Sequence, residues 1–362
     1  LDEEADRLYF WAPGDVNPEK LEISAQKRKN AVEFSDARYV TLDGIEIMGA
    51  NIEMSDNTEN CTLNNISAKY LSYDVALPKN GSGSCNSRGI QLRGRYNTIK
   101  NSQIASTFGD AIEMSGSYNA VVNCDIHDFN YENTYSYGVN ISGDHQLVKN
   151  NSIYRTGRSA IGGAFETSEI SYNNIYDTMK ISKDGGALYL VNHDFKNSEI
   201  HHNVFSDQQN DGFGAAIYYD SGCSRLVTYN NAVICDDNSY YTLPLCVNNP
   251  SEYNLFFNNT FIGEQPVHFV GKTKGMAGSV YANNVFTAEP FDENAAEDYG
   301  FSDMNNAVVE RSELNADATL KNGSAAIDSG IYLPGIGENY SASAPDCGAY
   351  ENGAVKWTAG YD

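Results

Sequence analysis

The chain is short of positive charge. It carries 24 Lys and Arg against 48 Asp and Glu, a formal net of −24 over 362 residues, with a pI near 4.5. A field of that sign excludes an electrostatic grip on nucleic acid or on an anionic membrane surface. It weighs against strongly anionic polymers as substrates without excluding them. No apolar run reaches about 18 residues, so no helix spans a membrane. The seven cysteines form no CxxC pair, so a structural zinc site is not expected. Their odd number leaves at least one free thiol. Cys61 with Cys85, and Cys235 with Cys246, are placed to close loops. The opening Leu1-Asp2-Glu3-Glu4-Ala5-Asp6 lacks a basic flank and an apolar stretch, so it reads as the start of a processed chain rather than a signal peptide.

What is present in excess is Asn, at 41 residues, with 25 Tyr and 31 Gly against 9 Pro. Asn and Gly tolerate left-handed backbone, and Tyr favours strands. Strands with many tight corners follow. A phrase recurs: an apolar residue, an Asn-rich polar pair, another apolar residue. Examples are Val148-Lys149-Asn150-Asn151-Ser152-Ile153, Ile170-Ser171-Tyr172-Asn173-Asn174-Ile175 and Phe256-Phe257-Asn258-Asn259-Thr260-Phe261. The apolar residue after the corner falls at Ile45, Ile66, Ile104, Ile126, Ile153, Ile175, Val204, Val233, Phe261 and Val285. Most spacings lie in the twenties, the mark of a parallel β-helix. The one long interval contains the Gly/Ser-rich insertion Pro78–Ser84. Asn stacked at one corner forms a hydrogen-bonded ladder, so Asn60, Asn65, Asn140, Asn150 and Asn258, each in an N-x-S/T match, read as corner residues and not glycan acceptors.

An earlier strand in each turn places Ile90, Ile112, Val139, Ile161, Leu188 and Ile217 inward in one row. The next residues, Gln91, Glu113, Asn140, Gly162, Tyr189 and Tyr218, face outward and read as the floor of a carbohydrate groove. The expected organisation is one all-β domain of roughly ten turns. Residues 1–38 form a lead-in or cap, 39–287 the coil, and 288–362 a C-terminal cover and closing segment.

The phrases Tyr39–Ile45, Asp125-Ile126-His127-Asp128, Thr156–Ile161, Asp184-Gly185-Gly186-Ala187-Leu188-Tyr189 and Ile217-Tyr218-Tyr219-Asp220-Ser221-Gly222 carry a resemblance. They resemble the right-handed parallel β-helix repeat proteins of polysaccharide-degrading bacteria. Within that group the chain is most similar to the β-helical glycoside hydrolase family that includes α-L-fucosidases and xylanases. The resemblance implies a secreted or cell-surface bacterial protein acting on carbohydrate, with its paired acids at Asp184 and Asp220. The chain departs from the family phrases at Gly185 and Tyr219. A monomer without cofactor or metal, with no nucleic acid partner and no membrane insertion, is the expectation.

Glycoside hydrolysis needs one protonated and one ionised carboxyl group across the scissile bond. Asp184 and Asp220 are the first candidates, and Asp110 with Glu113 the rival pair. Arg158, Arg93, Asn140, His145 and His193 are candidates for sugar hydrogen bonds. Tyr189 and Tyr218 offer an apolar face with a polar edge. His127, His201 and His202 read as corner residues. A polysaccharide lyase is the alternative, with Lys180, Lys183 and Arg158 neutralising a uronate; calcium oxygen ligands would then come from Asp207, Asp211, Asp236 and Asp237, although no loop has a calcium spacing. A non-catalytic glycan-binding surface protein is the third reading.

Overall fold

The structure is a computed structural model that describes all residues except 1, 3, 8, 74–87, 132–133, 211, 237–241, 272–273, 337–339 and 341. The insertion at 78–84, Cys85, Asp211 and Asp237 therefore lie outside the described residues. Short strands recur in threes along the chain and stack into three parallel sheets. Among the described residues the first sheet has 10 strands, from Asn30–Phe34 to Val267–Val270. The second and third have 11 each, from Thr41–Asp43 to Ser302–Met304 and from Glu46–Met48 to Ala307–Val308. The result is the expected right-handed parallel β-helix, the hand that parallel crossover connections take. Stacking begins at Asn30 and runs to Val308, beyond residues 39–287 at both ends.

The core is a stack of like side chains. Ile90, Ile112, Val139, Ile161, Leu188 and Ile217 are all fully buried in one row. A second row, in the third sheet, runs Ile104, Ile126, Ile153, Ile175, Phe205, Val233, Phe261 and Phe286. The sequence phrase slips by one residue at Val204 and Val285, where Phe205 and Phe286 take the inward place. Near the start it slips by two, and Ile47 and Ala68 replace Ile45 and Ile66.

The Asn excess has two structural causes, one for each member of the Asn-Asn pairs. The first member sits at the corner between the second and third sheets in left-handed geometry: Asn150, Asn230, Asn258, Asn283 and Asn305 have φ between 48° and 55°. Asn is among the few non-Gly residues that accept this region. The residue after the left-handed one forms the ladder; before Asn173 and Asn203 the left-handed residue is Tyr172 and His202, and all of the ladder but Asn306 is buried. Asn151, Asn173, Asn203, Asn231, Asn259, Asn284 and Asn306 each take the backbone N–H of the preceding rung on Oδ1, at 2.7 to 3.1 Å. A shorter ladder of Asn97, Asn119, Gln146, Ser168 and Ser198 does the same at the corner between the first and second sheets. Asn60 and Asn65 also occupy left-handed corners. Asn140 does not; it lies on the outer face of the first sheet and bonds to Asp110.

Cys235 and Cys246 form no disulfide. Both are free thiols, as are Cys61, Cys124, Cys223 and Cys347. At the C-terminal end the helix Ala295–Tyr299 and its flanks bring Phe291 and Phe301 onto Tyr281, closing the core. The last segment then runs back along the Asn corner. Gly348 N–H bonds to Asn283 O, Gly360 N–H to Tyr172 O, and Asp362 N–H to Asn123 Oδ1.

The ladder is testable. Asn203 Oδ1 accepts from Asn173, and its Nδ2 donates to Ile170 O and Asn231 Oδ1. Asn203→Ala strands these buried partners and is expected to cost about 3 kcal/mol in urea unfolding. Asn230→Gly, at the adjacent left-handed corner, is expected to stay within about 1 kcal/mol of the parent.

Candidate functional site

The outward column of the first sheet is continuous. Register pairs Glu53 with Gln91, Glu113, Asn140, Gly162, Tyr189, Tyr218, Cys246 and His268 in turn. It is not an open floor. Gln91, Tyr189, Tyr218 and Cys246 are buried. Tyr137, Ala215 and Leu243, from first-sheet strands, pack with Tyr189 and Tyr218. Tyr189 and Tyr218 meet edge to face at 5.4 Å. Their rings are spent on packing, and only their hydroxyl edges remain for polar work. That corrects their expected role as stacking platforms.

The N-terminal half of the column holds a charge network. Arg88 Nε lies 2.7 Å from Glu113 Oε1, without hydrogen-bond alignment, and 3.8 Å from Asp110 Oδ2. Arg93 pairs with Glu113 at 3.6 Å, with Glu53 at 3.6 Å and with the Gln91 amide. Arg93 is therefore held by protein partners. Asp110 is 2% exposed and accepts from Tyr137 N–H at 2.6 Å and Asn140 Nδ2 at 2.9 Å. Burial pushes its pKa up to about 7, against the pull of those two bonds and of Arg88. Asp110 and Glu113 thus form a pair in which one carboxyl holds its proton near neutrality. Asp110 is sealed from solvent, so it positions Asn140 and does not reach a substrate.

The C-terminal half holds the first-choice acids. Asp184 opens the strand Asp184–Val191 and pairs with Phe213; Asp220 closes Phe213–Asp220 and pairs with Val191. The two acids stand at opposite ends of adjacent strands, flanking the tyrosine pair. Both act electrostatically on Tyr189, Tyr218 and Cys246. Asp220 is half-buried; its carboxylate accepts from Tyr189 Oη at 2.6 Å and Asn248 Nδ2 at 2.7 Å. Burial and this bond to Asp220 push the Tyr189 phenol well above its usual range. Asp184 is exposed, and among the described residues its carboxylate has no hydrogen bond or ion pair.

Arg158 lies beside Asp184 and the Tyr189 ring. It is 3% exposed. Its guanidinium lies over the Tyr135 ring at 4.2 Å and the Tyr189 ring at 4.7 Å, and its Nε donates to Asp184 O at 3.2 Å. Among the described residues no carboxylate pairs with it, and Nη1 has no partner. The two glycines after Asp184 make room. Gly185 has φ of 140°, and a Cβ there would lie 3.2 Å from Arg158 Nη2; a Cβ on Gly186 would lie 2.8 Å from Tyr218 Cβ. The departure at Gly185 from the family phrase thus accommodates a buried cation.

The histidines divide. His145 sits at a left-handed corner, stacked on Tyr118 at 4.3 Å, with Nδ1 on Asp144 at 2.6 Å. It belongs to a corner stack with Tyr96 and Tyr118. His193 follows the strand end beside Asp220, and its Nε2 has no hydrogen-bond partner. His202 occupies a corner, whereas His127 and His201 lie in strands. Lys180 bonds to Asp177 at 2.7 Å, and Asp236 pairs with Arg311 at 2.8 Å. Among the described residues no three His, Cys, Asp or Glu converge as metal ligands. Sequence reasoning missed Arg88, Tyr135, Tyr137 and Asn248. Arg88 and Tyr137 stand in register with Asp110, and Asn248 reaches Asp220 from the next rung, so extending the outward column by a few residues in each direction would have found them.

Because Asp110 keeps its proton in the fold to about pH 7 and loses it near 4 when unfolded, the native state binds the extra proton between those values. Its contribution to stability is full below about pH 4 and is lost as pH rises through about 7. Stability of Asp110→Asn, measured by urea unfolding across that window, is expected to fall less with pH than that of the parent.

The family model of the right-handed β-helix region matches residues 60–233. No curated protein matches the chain. Among solved structures the chain is similar to XylC in complex with xylose, at 15% identity over 59% of this chain and 45% of that one, TM-score 0.41. It is similar to the alginate lyase AlyF-OU02 with G6, at 13% identity over 75% and 74%, TM-score 0.43. It is similar to the pectate lyase Pel9A, at 17% identity over 89% and 86%, TM-score 0.40. The match spans less than half of the XylC chain.

Proposed function

We propose that the protein is a carbohydrate-active enzyme that hydrolyses a glycosidic bond at the outer face of the first sheet, with Asp184 and Asp220 as its acids. The observation that carries this is the setting of Asp220. Two donors, Tyr189 Oη and Asn248 Nδ2, grip the carboxylate while the residue stays half-buried, so an edge remains for a ligand. Two such donors fix the orientation of the carboxylate, which suits a nucleophile or a general base. Asp184, exposed and without a side-chain partner among the described residues, is the group able to approach a leaving oxygen. The sequence resemblance supports the same two residues. A polymer-cleaving protein works where the polymer is, so the reading includes secretion or display at a bacterial surface.

Arg158 favours a second reading, β-elimination on a uronate polymer. A buried guanidinium without a carboxylate partner among the described residues is suited to neutralising the sugar's acid group, and Tyr189 and Tyr137 stand beside it as proton carriers. Turnover of a panel of xylan, glucuronoxylan, polygalacturonate, alginate and fucosylated oligosaccharides separates the two. New reducing ends without ultraviolet absorbance mark hydrolysis; an absorbing unsaturated product marks elimination. Asp220→Asn and Asp184→Asn are each expected to lower kcat by at least about 100-fold. Full turnover in both variants would overturn the assignment.

A further inference from the structure

A row of tyrosines leaves the candidate site toward the N-terminal end of the coil. Tyr135, which lies over Arg158, is 47% exposed. Tyr131, on the same loop, is 46% exposed. Tyr73 and Tyr70 follow at 40% and 48%, with ring centroids 6.5 Å apart. Tyr73 rests on Phe108 at 5.5 Å, and Ser106 lies near the Tyr131 hydroxyl, so the intervening turn supports the row. Tyr131 and Tyr73 are electrostatic neighbours. Single exposed aromatic residues need no explanation. Here four emerge from one edge of the coil, where the chain leaves the third sheet. They follow the strands Ser67–Lys69 and Asp125–Phe129, and Arg158 and Asp184 follow Ser152–Thr156 and Asn174–Thr178 at the same edge. At about 4.8 Å per rung, the row from Tyr70 to Asp184 covers roughly 19 Å.

Cations stand at both ends of this row. Tyr70 and Tyr73 line a cavity of about 700 Å³ with Lys27 and Arg28, and among the described residues no carboxylate lines it. At the other end stands Arg158 with its unpartnered Nη1. Asp128, which acts electrostatically on Tyr131, is held by Arg155 at 2.6 and 2.7 Å. In a chain of net charge −24, cations at both ends of one aromatic row set it apart.

We propose that Tyr70, Tyr73, Tyr131 and Tyr135 form a track for an extended glycan chain bearing anionic groups, running from the cavity at Lys27 and Arg28 to Arg158. Each phenol supplies a ring face for the apolar side of a sugar and a hydroxyl for its edge. The inference rests on the carbohydrate reading of the site but not on its catalytic acids.

The test is calorimetric binding to the Asp184→Asn/Asp220→Asn variant, so that turnover does not consume the ligand. The probes are galacturonate, alginate and neutral xylose oligosaccharides of two and of six units. At least one six-unit anionic chain is expected to bind about tenfold more tightly than its two-unit counterpart and than neutral six-unit xylose. Tyr73→Ala and Tyr131→Ala are each expected to weaken the six-unit chain about fivefold and leave the two-unit affinity unchanged. Arg28→Glu should weaken the anionic six-unit chain alone. No binding by any anionic chain, affinity independent of length, or full six-unit affinity in both tyrosine variants would overturn the track. Since the readout is binding, loss of the hydrolytic assignment through active Asp variants leaves this result separately legible.

Discussion

A buried side-chain amide that accepts from the rung below and donates to the rung above is the constraint on which the other features depend. At a corner between sheets the strand ladder stops, and backbone N–H groups point along the coil axis with no strand to meet them. Left buried and unpaired, each would cost about 1–3 kcal/mol. Asn151, Asn173, Asn203, Asn231, Asn259 and Asn284 each take one such N–H and pass an Nδ2 donor on to the next amide. The bond has one length, so the rungs have one spacing. That spacing places each outward side chain directly over its neighbour, so side-chain identity along a column becomes a matter of compatibility between adjacent rungs.

The outward column obeys this. Where two acids stack, as Glu33 over Glu53, a single Asn30 amide bonds to both. Elsewhere Glu113 lies between Gln91 and Asn140, which lack charge, and the arginines reach it from the sides. Like charges directly opposed on neighbouring strands destabilise a sheet, and beyond the bridged Glu33 and Glu53 the outward column from Gln91 to His268 avoids them. The tyrosine pair, Tyr189 over Tyr218, continues the series with groups whose packing is favourable and whose hydroxyls still reach Asp220 and Asn248.

The periodic part of this was legible in the sequence. The inward row from Ile90 to Ile217 and the order of the outward column follow from alternation, which repeats in every turn. What the period does not encode is what lies over the sheet. Tyr189 and Tyr218 read as exposed because the strand pattern places them outward; side chains from neighbouring turns then bury them. Asp110 has the same history, and its raised pKa comes chiefly from burial, with a smaller push from Glu113. Asp184 and Asp220 were legible as phrases, but their placement at opposite strand ends depends on a register spread over two turns and on the backbone at Gly185. Arg88 and Asn248 escaped because each belongs to a turn other than that of the acid it serves.

Two arginines of this face show how cover decides chemistry. Arg158 is 3% exposed and the Arg88 side chain 35%, so each gives up part of its water. Arg88 recovers it from Glu113 and, more distantly, Asp110, so its charge is spent inside the protein. Arg158 has two tyrosine faces and the Asp184 carbonyl, which stabilise a cation but do not cancel it. A desolvated charge of that kind raises the energy of the empty site relative to the same site holding an anion. The consequence is a division along one sheet face. Around Arg88 the charges are closed among themselves; around Arg158, beside Asp184 and Tyr189, the electrostatic account stays open. The Gly185–Gly186 step that lets Arg158 in is also the step that sets Asp184 at the strand edge, so the same backbone feature supplies the exposed acid and the uncancelled cation beside it.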